Sequence, residues 1–276
     1  MPTARLLRPL LLLCLFASLL PAAVRAQAAG AGREYTVAVI PIMPPAEVKR
    51  RFQPLLDEAT RRTGLRFRFH FYKDFKRFEQ GLAAEEVDFT VASPVLIWQL
   101  RDRYRPILRG SRPLIGQVVV RRDSPLQQLS DLGQRSLGYQ EGGALSTNLF
   151  VLRTLREQKV DFLPRPLNTE SSALRSAFLQ KNDAALVNNY LMQLVPANVA
   201  QQLRVIHSAP DLPPPAIMAG RQAPPEVVQK FRDALLALRE SHPALLASIL
   251  MPDLTEADIE RDYGVMARHL GAGDKP

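Results

Sequence analysis

Residues 35–71 read YTVAVIPIMPPAEVKRRFQPLLDEATRRTGLRFRFHF, and this stretch decides the kind of fold. Tyr35–Ile40 is dense in β-branched and apolar residues and stops at the prolines of 41–45, which predicts a buried strand running into a loop. Ala46–Thr63 places Val48, Phe52, Leu55, Leu56 and Ala59 on one face of a helix that ends at Gly64, with a kink expected at Pro54. From Leu65 to Phe71 apolar residues alternate with basic ones and His70, the period of a strand. Strand, helix and strand in this order make one βαβ unit.

The alternation continues toward the C-terminus. A helix from Lys73 or Asp74 to about Glu85, a short strand at Val87–Ala92 and a helix opened by Ser93-Pro94 complete an α/β lobe, expected to carry a mostly parallel sheet. Such sheets bind ligands beyond the carboxyl ends of their strands, here 41–45, 72–74 and Ser93-Pro94. After a long strand at Leu114–Arg122 the pattern starts again, with strands at Ser136–Tyr139, near Val160–Leu163 and at Ala184–Asn188 and helices at Ala144–Gln158 and Ser171–Leu179. Arg204–Ile206 and Ala216–Arg221 return the chain, and amphipathic helices from Glu226 onward pack on the first lobe. The division expected is 1–26 as a leader, 34–118 with 208–270 as a discontinuous first lobe, and 119–207 as a second lobe, joined by two crossings.

Before Tyr35, Arg5 and Arg8 precede an apolar run, Leu10–Leu20, and small residues up to Ala26, the arrangement of a secretory signal peptide cleaved near Ala26. The run is too short to span a bilayer as a helix. The one cysteine, Cys14, leaves with the leader, so the mature chain has neither disulfides nor thiolate chemistry. The 46% hydrophobic content suffices for a packed core. With 36 basic and 27 acidic side chains the formal charge is +9, three of which leave with the leader. The basic residues are dispersed and no nucleic-acid-reading motif accompanies them, so nucleic acid is not an expected partner. His70, His207, His242 and His269 lack metal-ligand spacing, and no Gly-x-Ser-x-Gly, P-loop or GxGxxG occurs. The reading is therefore a protein with no catalytic residue, no metal site and no cofactor.

Four stretches, taken in order, resemble the phosphate/phosphite/phosphonate-binding proteins of ABC transporters, a type 2 periplasmic binding protein family. They are Val39–Pro45 before its helix, GLAAEEVDFTVASP at 81–94, GQVVVRRDSPLQQLSDLGQRSLGYQ at 116–140, and ESSALRSAFLQKNDAALV at 170–187. The resemblance implies a two-lobed α/β fold that closes on a small anionic ligand in the cleft. It implies a periplasmic monomer, with an ABC transporter permease as partner or, in an alternative role, a membrane sensor to which ligand is reported.

The family's anion loop, Ser-Thr-Ser-Gly at a helix start, corresponds here to Ala144-Leu145-Ser146-Thr147 after Gly142-Gly143, so within the triad only Ser146 keeps a hydroxyl. Gly143, Ala144, Ser146 and Thr147 are therefore the implied anion-binding residues, held by main-chain N–H groups and the helix dipole. A turn followed by a plain helix start accounts for the same residues. Ser93 corresponds to the loop after the third strand, as a ligand donor or as an ordinary helix cap. Tyr139 at a strand end, Glu170 and Ser171 at a helix start, and Asn188 at the end of Ala184–Asn188 complete the expected set; packing, helix-dipole and turn roles stand beside each. The altered loop leaves phosphorus oxyanions, organic phosphates and carboxylates all open as ligands.

Overall fold

The computed structural model describes residues 32–142 and 146–270; the expected leader, Gly143 and Ala144 lie outside the described residues. The opening unit consists of β1 (Glu34–Val39), α1 (Pro45–Thr63) and β2 (Arg66–Phe69). Val48, Phe52, Leu55, Leu56 and Ala59 are buried along α1, which ends at Gly64 in the left-handed conformation (φ 70°) with its N–H bonded to the Thr60 carbonyl. The helix is continuous through Pro54, whose exposed position lets solvent take up the carbonyl that a proline leaves unpaired.

The first half continues through α2 (Phe75–Ala83), β3 (Phe89–Ala92), α3 (Pro94–Gln99) and β4 (Tyr104–Arg109). Next come β5 (Gly116–Arg121), a 3-10 turn at Leu129–Leu132, β6 (Ser136–Gln140), α4 (Ser146–Glu157) and β7 (Leu163–Leu167). After them lie α5 (Glu170–Phe178), β8 (Ala184–Asn188), α6 (Asn189–Gln193), α7 (Ala197–Ala200) and β9 (Leu203–Ser208). The chain returns on β10 (Ala216–Gly220) and ends with α8 (Pro225–Leu236), α9 (Leu238–Ser241), α10 (Pro243–Ser248), β11 (Thr255–Glu256), α11 (Ile259–Tyr263) and α12 (Met266–His269).

These strands form two sheets, ordered β11-β4-β10-β3-β1-β2 and β7-β6-β8-β5-β9. Both are mixed, which corrects the expectation of mostly parallel sheets. β1 runs parallel to β3, and β6 runs parallel to β7 and β8. The strands on which the chain arrives after crossing run the other way: β10 is antiparallel to β3 and β4, and β5 to β8 and β9. Each crossing strand thus inserts into the interior of a sheet, where it ties distant segments together.

The crossings lie between Arg109 and Gly116 and between Ser208 and Ala216, so the expected division at 118/119 falls within β5. They pair with each other through Leu114 and Leu212, whose N–H groups each donate to the other's carbonyl at 3.0 and 2.9 Å. Both residues are buried. On the first sheet Phe67, Phe89 and Phe231 stack with centroids 4.4–6.0 Å apart. Beneath β1 the buried Asp88 carboxylate accepts from the Thr36 N–H at 2.8 Å and the Thr36 hydroxyl at 3.0 Å, fixing the β1–β3 register from below.

Candidate functional site

Between the sheets lies a cavity of ≈ 70 Å³ that joins five of the expected residues, Ser93, Ser146, Thr147, Glu170 and Asn188. Ser146 and Thr147 reach it because they open α4, a helix whose first N–H groups have no acceptor inside the helix. Ser93 comes from the opposite lobe, at the position before α3. Its side chain makes no capping bond and its buried Oγ has no partner among the described residues. A plain cap role therefore does not describe Ser93.

Glu170 is fully buried at the first position of α5, which Thr169 caps by accepting from the Ser172 N–H at 3.1 Å. Its Oε1 accepts from the Thr147 hydroxyl at 3.1 Å, and its Oε2 accepts from the Asn188 N–H at 2.9 Å and from Asn188 Nδ2 at 2.7 Å. Among the described residues it has no cationic partner. Burial pushes its carboxyl up to about 7, against the lowering effect of the bonds from Asn188 and Thr147. Asn188 also caps α6, its Oδ1 accepting from the Leu191 N–H at 2.8 Å. It fills the turn role and the cavity role together.

Among the hydrogen bonds that join the lobes, three lie close to the cavity. The Val95 N–H donates to the Ser146 Oγ at 3.3 Å, Gln140 Nε2 donates to the Pro41 carbonyl at 2.8 Å, and the Ser171 N–H donates to the Ile42 carbonyl at 3.2 Å. Gln140 Nε2 also donates to the Asn168 carbonyl at 3.1 Å, so one amide binds both lobes. At the lip of the α4 loop Gly142 lies so close to Phe75 of α2 that a Cβ there would come within 2.3 Å of the ring.

Tyr139 and Ser171 are not on the cavity. Tyr139 is half-buried against the core, with its hydroxyl pushed up by burial and by the Glu141 charge. The Ser171 N–H bonds to the first lobe, and the residue faces a wider groove of ≈ 680 Å³ between the start of α1 and the α5–α7 region. That groove shares Met43, Arg51 and Leu194 with the cavity. The wall also contains residues the sequence pattern did not single out. Arg51 stands at its edge with Nε on Glu47 Oε1 at 2.6 Å and Nη1 on the Ser248 carbonyl at 3.3 Å. Leu250 and Met251 come from the turn after α10, and Tyr190 from α6. Arg51 follows directly on the helix face already recognised; nothing local in the sequence ties residues 248–251 to a cleft formed two hundred residues earlier.

Among the described residues no cluster of three or more His, Cys, Asp or Glu is arranged to hold a metal ion, and no helix is long and apolar enough to cross a membrane.

Residues 37–263 match the model of a family described as ABC transporter, phosphonate, periplasmic substrate-binding protein. Among solved structures, the chain is similar to a binding protein component of an ABC phosphonate transporter from Pseudomonas aeruginosa (TM-score 0.77, 16% identity, covering 88% of this chain and 91% of that one). It is also similar to PhnD1 from Prochlorococcus marinus, solved with methylphosphonate (TM-score 0.73, 13% identity, 88% and 99%). A third is XAC2383 from Xanthomonas citri, solved with ATP (TM-score 0.65, 18% identity, 85% and 96%). At these identities the likeness concerns the fold. No protein of curated function matches the chain in sequence.

Proposed function

We propose that this chain, which belongs to the family of periplasmic substrate-binding proteins of phosphonate ABC transporters, captures a small phosphorus oxyanion at the Ser93, Ser146 and Thr147 pole of its cavity. It is a substrate-binding transport component and not an enzyme. The observation that carries the ligand reading is the meeting of Ser146 and Thr147, at the start of the 12-residue α4, with the unpartnered hydroxyl of Ser93 from the other lobe. Free N–H groups and the positive end of the helix favour an anion there without a lysine or arginine.

Closure places donors from both lobes on one ligand, so the ligand stabilises the closed arrangement by its differential affinity. Gly143 and Ala144 belong to this reading as the main-chain part of the loop. Glu170 and Asn188 position Thr147 rather than touching the anion. The lobes that close are 34–118 with 208–270 and 119–207, give or take the strand β5. The exported chain, cleaved near Ala26, acts as a monomer and hands its ligand to a permease.

Thermal unfolding of the exported protein tests this against phosphate, phosphite, methylphosphonate, sulfate and small carboxylates. At about a hundredfold its dissociation constant a ligand adds about 2.7 kcal/mol, a clear shift. The reading expects a phosphorus oxyanion to give that shift and Ser146→Ala to abolish it. A shift from a carboxylate alone, or one that survives Ser146→Ala, contradicts it.

A further inference from the structure

The hydroxyls of the serine pole differ in how they are engaged. Ser93 Oγ is unpartnered and Ser146 Oγ accepts the Val95 N–H at 3.3 Å, whereas Thr147 spends its hydroxyl hydrogen on Glu170 Oε1 at 3.1 Å. A hydroxyl has one hydrogen to donate, so an anion receives it from Thr147 only when Glu170 gives it up. Thr147, Glu170 and Asn188 all lie between the two crossings, so parting of the lobes does not separate them.

The bonds of Glu170 fix where a proton on it sits. Oε2 faces two donors that cannot accept, the Asn188 N–H at 2.9 Å and Asn188 Nδ2 at 2.7 Å. The orientation of that amide is set by its Oδ1, which accepts from the Leu191 N–H at 2.8 Å. A proton therefore belongs on Oε1, whose partner is the Thr147 hydroxyl, a group that both donates and accepts. Protonation reverses this one bond and releases the Thr147 hydrogen toward the cavity. Electrostatics act in the same direction, because an ionised Glu170 and an anion share a cavity of ≈ 70 Å³ and like charges favour the protonated acid.

The other titratable groups on the described cavity wall are Arg51 of α1, paired with Glu47 at 2.6 Å, and Tyr190 of α6, whose hydroxyl donates to the Arg112 carbonyl at 2.6 Å. Of the elements that pack on α5 or bond Glu170, β8 carries no charge and α4 none before Arg153. Arg121 of β5 is paired with Asp123 at 2.8 Å, Arg165 of β7 and Glu141 after β6 are exposed, and Tyr139 of β6 packs on the core. On α5 itself Arg175 faces the wider groove.

We infer that Glu170 is a proton-linked positioning residue: the anion-bound chain carries a proton on Glu170 Oε1, which donates to Thr147 Oγ while the Thr147 hydroxyl donates to the anion. The inference rests on the oxyanion reading of the serine pole. Capture is then coupled to proton uptake from solvent, one anion and one proton per chain, and the Thr147–Glu170 hydrogen bond reverses without any covalent bond beyond those to the moving protons changing. Burial pushes the carboxyl of the ligand-free chain up to about 7, so part of the population is already protonated at neutral pH. An anion raises that value further. Binding is therefore favoured at low pH and weakens as pH rises above 7.

Calorimetric titration of methylphosphonate into the exported protein and into Glu170→Gln, in buffers of different protonation enthalpy from about pH 6 to pH 8, counts the protons taken up. The second ionisation of the ligand falls in the same range and is common to both proteins, so their difference reports Glu170. At about pH 8 the wild type is expected to take up about one proton more than the variant, and its affinity relative to the variant is expected to fall about ten-fold from pH 6 to pH 8. Equal proton counts with parallel pH profiles overturn the inference and leave the oxyanion reading standing. If methylphosphonate, phosphite and phosphate bind neither protein, the oxyanion reading fails and the coupling fails with it. Carbon NMR of the glutamate carboxyls in the wild type covers the case of a variant that does not bind. Saturating methylphosphonate is expected to move the Glu170 titration midpoint upward by about one pH unit or more, and a midpoint that stays or falls overturns the inference.

Discussion

Glu170 is a fully buried carboxyl without a cationic partner among the described residues. Its folded pKa near 7 lies above the value of about 4.5 expected in the unfolded chain, so the native state holds the extra proton between those values. Stability from this group is therefore complete below about pH 4.5 and is lost as pH rises through 7, by a total on the order of 3 kcal/mol. Denaturant unfolding of wild type and Glu170→Gln across pH 4–8 is expected to show the wild type losing stability relative to the variant as pH rises; parallel curves contradict this. The buried Asp88 accepts from the Thr36 N–H and hydroxyl through one carboxylate oxygen, and Asp88→Ala is expected to cost about 2 kcal/mol in urea unfolding by leaving the Thr36 donors unpaired. At this scale the sequence was legible where chain position decides the role. Ser93, Ser146, Thr147, Glu170 and Asn188 sit at strand or helix ends that an α/β pattern aims at a cleft. Tyr139 shows the limit, because its place near the end of β6 does not say whether its side chain faces the cavity or the core, and it packs against the core. The extent of Glu170 burial was equally hidden, since it depends on Thr147 and Asn188 meeting it from two other elements.

Among the elements, α1 followed from its pattern almost residue for residue, because the apolar stripe and Gly64 are local signals. Two of the strands that went unread or were misplaced contain proline. β4 carries Pro106, and its pairing with β10 slips where Ile217 and Met218 face Leu108 and Pro106, which leaves Ile107 as the extra residue. β7, expected near 160–163, runs instead over Leu163–Leu167 with Pro164 and Pro166; it is an edge strand with β6 as its only neighbour, so missing N–H groups on its outer side cost nothing. β11 is too short to have a period at all. The α4 loop carries the prediction that belongs to this scale. Because a Cβ on Gly142 would meet the Phe75 ring, Gly142→Ala is expected to destabilise the protein by about 1–3 kcal/mol and weaken ligand binding, as read by urea unfolding and titration. Unchanged stability and affinity contradict the close approach.

For the molecule as a whole, two lobes and two crossings were legible from the repeated α/β pattern, while the mixed sheets were not. Strand direction in β5 and β10 follows from how the chain crosses, a property of topology rather than of any window of sequence. In the closed arrangement Gln140 supplies a bond to each lobe. Gln140→Ala is expected to loosen closure, with ligand release several-fold faster in stopped-flow measurements and little change in association; an unchanged release rate removes Gln140 from the mechanism. The central claim is that closure traps a phosphorus oxyanion against the serines of both lobes. Titration of methylphosphonate into the exported protein and into Ser146→Ala tests it most directly. The account predicts one site per chain and at least ten-fold weaker binding in the variant, whereas equal affinities, or no binding of phosphate or any phosphonate, contradict it.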